Sequence, residues 1–141
     1  LQEKLLMMVE KDAEVFEPLS KAYGLPSGTE EEKAEKERVM ETVLKAASEA
    51  PFGIMELCME AIDIVSRFSE IGSKIAISDA GCAAACCRAA LNAASLNVFI
   101  NTKLMKDRAY AEEMNKRAEE MLELGNVKAD AIFDTVKSGL I

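Results

Sequence analysis

Apolar positions recur three and four residues apart along most of the chain, and no segment shows the apolar–polar alternation of a strand. Leu5, Val9 and Phe16 share one side of a helix predicted from Leu1 to about Glu17, and Leu19 and Tyr23 continue that side. Pro18 is expected to kink or interrupt it, because proline lacks an N–H and crowds the preceding turn. Gly24 and Pro26-Ser27-Gly28 form the first clear break. Thr29 and Glu32 then have the spacing of a capping box, which opens a charged helix from Glu30 to about Glu49. Its Glu30-Glu31-Glu32 cluster suits the positive end of the helix dipole. Pro51 suits the first turn of a third helix running to about Ile71 and stopped by Gly72. A fourth spans Ser78 to Asn101, with Ser78 or Asp79 as its cap. Lys106-Asp107 begins a fifth that reaches about Leu124, Gly125-Asn126 closes it, and a last helix covers roughly Val127 to Lys137. Short connections between long helices make neighbours antiparallel. The expected fold is therefore all-α: one domain over residues 1–141, an antiparallel up-and-down bundle of about five or six helices.

Composition narrows the chemistry. Half of the 141 residues are hydrophobic but only 5% are aromatic, as in a helical core rich in Ala, Leu and Met. A net charge of −8 opposes binding to nucleic acid or to an anionic membrane surface. No apolar run suggests a membrane span of roughly 20 residues, and no signal peptide is visible, so the cytoplasm is the expected compartment. The chain contains no histidine. That removes imidazole as base and as metal ligand, leaving carboxylates, Lys, Tyr, Cys and backbone groups for any proton transfer. Cys58, Cys82, Cys86 and Cys87 lack the spacing of a zinc knuckle and read as core thiols, with redox or metal roles as the alternative. No metal site is expected.

The segment KIAISDAGCAAACCRAALNAASLNVFIN, Lys74 to Asn101, concentrates the remaining signals. Asn97 and Asn101 lie one helical turn apart, and the turn angle of a continuous helix brings Asp79 to the same face. Eighteen residues at ~1.5 Å each nonetheless separate Asp79 from Asn97 by roughly 27 Å, too far to share one reacting atom. Each amide offers a donor and an acceptor, suited either to a ligand edge or to interhelical hydrogen bonds. On the first helix, Asp12 falls in the stripe of Phe16, Leu19 and Tyr23. A carboxylate there is costly unless paired, hydrogen-bonded or protonated; the alternative is a helix-edge residue that reaches solvent. Asp79 reads first as a helix-start residue, with a functional carboxylate at a positive helix end as the alternative. Tyr23 either stacks on a flat ring or closes the end of the core.

The run ISDAG…LN…NV.IN at Ile77 to Asn101 resembles the formiminotransferase-cyclodeaminase family, specifically its cyclodeaminase domain and stand-alone relatives. KDAEVFEPLSKAYGLPSGT at Lys11 to Thr29 and the Ala50-Pro51 helix start extend the likeness. It implies a tetrahydrofolate derivative as substrate, with or without a polyglutamate chain, and no tightly bound cofactor. It further implies a homodimer or higher homo-oligomer, and an upstream glycine-rich helical segment that nothing here matches. A Gly-Asn pair common before the family's Ser-Asp motif is Gly72-Ser73 in this chain. The implied reaction closes 5-formiminotetrahydrofolate to 5,10-methenyltetrahydrofolate with loss of ammonia; methenyltetrahydrofolate cyclohydrolase is the alternative within the family. The resemblance makes Asp12 an acid or proton shuttle and Asp79 a base or cation stabiliser. Ser78, Asn97 and Asn101 would orient the ligand, Tyr23 would pack on its rings, and Lys74, Lys103 and Lys106 would meet an anionic tail. A non-enzymatic bundle instead predicts that Asp12, Asn97 and Asn101 satisfy one another or the backbone and leave no cavity.

Overall fold

The computed structural model describes the backbone of residues 1–141 and every side chain except that of Lys74, whose expected role at an anionic tail lies outside the described residues. The chain forms four long helices: α1 (Gln2–Tyr23), α2 (Glu30–Ile71), α3 (Ile77–Leu104) and α4 (Arg108–Leu140), with a 3-10 turn at Lys74–Ala76. The bundle is as expected, but the count is four rather than five or six.

Each lost break has a physical cause. Pro18 lies inside α1 on its exposed side, where the carbonyl that it frees is open to water. Pro51 lies inside α2 instead of starting a helix. The Ala47 carbonyl, four residues back, loses its helical donor but accepts an N–H from Asn101 of α3 at 3.1 Å. Gly125-Asn126 continues α4 because both residues serve the interior. A Cβ at Gly125 would collide with Leu91 and stand 2.7 Å from Met59 Sδ, so glycine lets α4 approach α2 and α3 closely. Asn126 and Asn92 exchange amide hydrogen bonds of 2.6 and 3.3 Å between α4 and α3.

The helix starts follow local chemistry. Thr29 Oγ1 accepts from Glu32 N at 3.1 Å, and Glu32 Oε2 accepts from Thr29 N at 3.1 Å, completing the expected capping box. Gly72 ends α2, where a Cβ would stand 2.5 Å from the Phe68 carbonyl oxygen. At the start of α3 the expected cap is corrected. The capping position is Ala76, without a side-chain bond, while Ser78 and Asp79 fall within the first turn. The hydroxyl that caps here is Ser73, which accepts from Ile75 N and opens the 3-10 turn.

Two cores hold the helices. Met55, Ile62, Leu91, Val98 and Ala118 fill the junction of α2, α3 and α4. Leu19, Leu44 and Ala47 join α1 to the first half of α2, with Met105 and Ala111 beneath. By length and composition α3 is apolar enough to cross a membrane, which corrects the expectation that no run here is. Ala, Cys and Leu supply that hydropathy, and α3 turns one side to the core against α2 and α4.

Candidate functional site

A cleft of about 250 Å³ opens between α1 and α3 over α2. Asp12, Phe16, Leu19 and Tyr23 line it from α1, Asn97, Ile100 and Asn101 from α3, and Ala47 forms part of its floor on α2. Asp12, Tyr23, Asn97 and Asn101, singled out in two distant segments, therefore face one space. Asp12 is exposed at the rim rather than partly buried within an apolar stripe. Phe16 and Tyr23 are likewise more than half exposed, at 62% and 51%, so their rings are available to a ligand.

The two asparagines are held differently. Asn97 Nδ2 donates to the Ala93 carbonyl one turn back at 3.3 Å, on the exposed side of α3. Asn101 is half-buried, and its Nδ2 donates across the helix interface to Ala47 O. Among the described residues, neither Oδ1 accepts a side-chain or backbone hydrogen bond. Each amide thus leaves its acceptor unspent within the protein. Asp12 is not spent on a neighbouring amine either, since no ion pair among the described residues includes it.

Ser78 and Asp79 stand apart. Both are exposed in the first turn of α3, at the end opposite Asn97 and Asn101 along one unbroken helix. The structure does not bring them to the cleft.

Lys36 was not singled out in the sequence. Its Nζ donates to the carbonyls of Tyr23 and Leu25 at 2.8 and 2.9 Å, tying the end of α1 to α2. This fixes the backbone that carries Tyr23, and a lysine at a helix C-terminus is also favoured by the dipole. The signal for it was topological, because the pairing bridges a turn whose path the sequence left open. A second hollow of about 330 Å³ shares Tyr23 and is lined by Lys33, Lys36 and Lys106. Lys33 bonds Glu30 at 2.7 Å, and Lys106 is paired with Glu37. An anionic tail would have to displace carboxylates there. Lys103 is exposed in the last turn of α3.

The cysteines divide. Cys58 is buried in the main core, Cys87 is half-buried, and Cys82 and Cys86 are exposed, which corrects their common reading as core thiols. Among the described residues no group of three or more His, Cys, Asp and Glu side chains is arranged to hold a metal.

Comparison with known proteins gives this geometry a setting. Residues 1–120 match the family described as formiminotransferase-cyclodeaminase. A methenyltetrahydrofolate cyclohydrolase of Methylorubrum extorquens is 39% identical over 138 residues, covering 98% of this chain and 66% of that protein. The formimidoyltransferase-cyclodeaminase of Sus scrofa is 26% identical over 96% of this chain, which spans 25% of its length. The crystal structure of formiminotetrahydrofolate cyclodeaminase from Thermotoga maritima superposes with a TM-score of 0.69 at 28% identity, over 96% of this chain and 61% of that one. With the match extending through all of α1, α2 and α3, the chain belongs to the formiminotransferase-cyclodeaminase family.

Proposed function

We propose that this protein is a methenyltetrahydrofolate cyclohydrolase that uses the α1–α3 cleft to hydrolyse the one-carbon bridge of a reduced folate. The convergence of Asp12, Tyr23, Asn97 and Asn101 on one open space carries the reading. Both asparagine donors bond backbone carbonyls, as a non-enzymatic bundle also predicts, but the space that they share with Asp12 and Tyr23 stays open. The choice of reaction rests on 39% identity to a cyclohydrolase against 26% to a cyclodeaminase, and it reverses the order expected from sequence.

The chemistry suits a chain without histidine. The methenyl carbon is flanked by two nitrogens that share a positive charge. Water adds its oxygen to that carbon and loses one proton, which the Asp12 carboxylate accepts. Asp12 then returns that proton to the departing nitrogen as its bond to carbon breaks, and the added hydroxyl gives up its proton to become the formyl oxygen. The cationic substrate and one water yield a formyl group on one nitrogen, an N–H on the other and one released proton. Tyr23 and Phe16 pack on the flat ring system, and the amides of Asn97 and Asn101 bind its polar edge. Ser78 and Asp79 take no part at this carbon.

Loss of ammonia from a formimino group at the same carbon is the second reading, favoured by the superposition on the Thermotoga maritima cyclodeaminase. Absorbance of the methenyl chromophore separates the two. Purified protein should accelerate its decay when offered methenyltetrahydrofolate. Formation of the chromophore from 5-formiminotetrahydrofolate would make it a cyclodeaminase instead, and silence with both would reject the folate reading.

A further inference from the structure

Proline in the middle of a 42-residue helix normally weakens that helix, because it deletes one rung of the hydrogen-bond ladder. In α2 the deleted rung is the one from residue 51 to the carbonyl of Ala47. Both residues are buried, so water does not readily replace the missing donor. The replacement is Asn101 Nδ2, 54 residues away in sequence and 3.1 Å from the carbonyl oxygen. Asn101 and Ala47 also both line the cleft between α1 and α3.

A side-chain amide can be rotated by half a turn at little steric cost, exchanging its donor and acceptor ends. An asparagine facing a ligand therefore discriminates between ligand donors and acceptors only if something sets its orientation. The contrast with Asn97 is informative. Its partner, the Ala93 carbonyl, lies in the unbroken ladder of α3 and already has a backbone donor there. The Ala47 carbonyl has none, because residue 51 is proline.

We infer that Pro51 is a positioning residue: by freeing the Ala47 carbonyl it locks the Asn101 amide with Nδ2 toward α2 and Oδ1 toward the cleft. The site then presents a fixed acceptor that selects a ligand N–H group. On the folate reading, on which this inference rests, that group is an N–H on the edge of the substrate's heterocycle. Pro51 itself need not touch the ligand.

The test is Pro51→Ala, with Pro51→Val as a partner that restores the N–H while retaining more of the ring's bulk. Either residue supplies a backbone donor that competes with Asn101 for Ala47 O. The expected signature is a split. The thermal midpoint stays level or rises, as the helical rung is restored, while KM for methenyltetrahydrofolate rises by about tenfold, the loss of one well-placed hydrogen bond. The value of kcat should change much less. In an Asn101→Ala background, Pro51→Ala should add nothing further to KM. The Asn101 side-chain amide, followed by nitrogen-15 NMR, should lose its protection from solvent exchange in both proline variants. Unchanged amide protection in Pro51→Ala and Pro51→Val overturns the inference, as does a parallel fall of midpoint and kcat with KM unaltered. Failure of the folate reading shows differently: the wild-type protein would then turn over neither methenyltetrahydrofolate nor 5-formiminotetrahydrofolate. In that case amide protection still decides whether Pro51 orients Asn101, and the ligand assignment falls.

Discussion

Three of the four cysteines lie on α3, yet only proximity to the core decides their chemistry. Burial, helped by the neighbouring Cys87, pushes the Cys58 thiol up to about 11 from its reference of 9.0. Burial also raises Cys87, with Cys86 adding to it, whereas Cys82 and Cys86 are exposed. Thiolates are the reacting species, so iodoacetamide at pH 8 should modify Cys82 and Cys86 first. Cys58 should react on the order of tenfold or more slowly until the chain unfolds, and peptide mass mapping over time checks this order. The same burial predicts a pH dependence. Cys58 holds its proton more tightly folded than unfolded, so its contribution is intact below about pH 9 and is lost as the pH climbs toward 11. Denaturant midpoints measured from pH 8 to 10.5 should fall, and Cys58→Val should flatten that fall. Spacing could not separate these thiols, because residues 82, 86 and 87 share one helix and only its neighbours decide which side is covered.

At the scale of elements, the Thr29 cap and the stops at Gly24 and Gly72 were legible, whereas the cap of α3 and the continuation of α2 and α4 through Pro51 and Gly125-Asn126 were not. Thr29 and Glu32 form the expected box because both partners are local in sequence. Thr29→Ala should cost about 1 kcal/mol, with the loss read as a lowered denaturant midpoint. Pro51 and Gly125-Asn126 read as helix ends because their local preference is to end helices. Tertiary partners overrode it: Asn101 serves the carbonyl freed by Pro51, and Asn92 pairs with Asn126. Gly125 makes the clearest case. A single methyl group there must displace Leu91 and Met59 in the main core. Gly125→Ala gains helix propensity of about 1 kcal/mol but should still destabilise the protein by about 1–3 kcal/mol through overpacking. A higher midpoint in this variant would contradict the close approach of α4 to α3.

At the scale of the whole molecule, the candidate site is a product of topology. Asp12 and Tyr23 share a stripe by their spacing, and Asn97 and Asn101 share another, so each pair was visible in sequence. That the two stripes meet over Ala47 was not, since periodicity gives faces but not which helices lie side by side. Asp79 shares a face with Asn97, yet an unbroken α3 holds it 18 residues away, roughly 27 Å along the axis. In the proposed reaction, the proton traffic runs at the Asn97–Asn101 end of α3 and not at the Asp79 end. Steady-state hydrolysis of methenyltetrahydrofolate by Asp12→Asn and Asp79→Asn, with thermal midpoints measured alongside, tests it most directly. Asp12→Asn should lower kcat by about a hundredfold or more, the usual scale of a lost proton-transfer group. Its midpoint should stay within a few degrees, and Asp79→Asn should keep wild-type turnover. Full activity in Asp12→Asn, or a collapse confined to Asp79→Asn, would contradict the account.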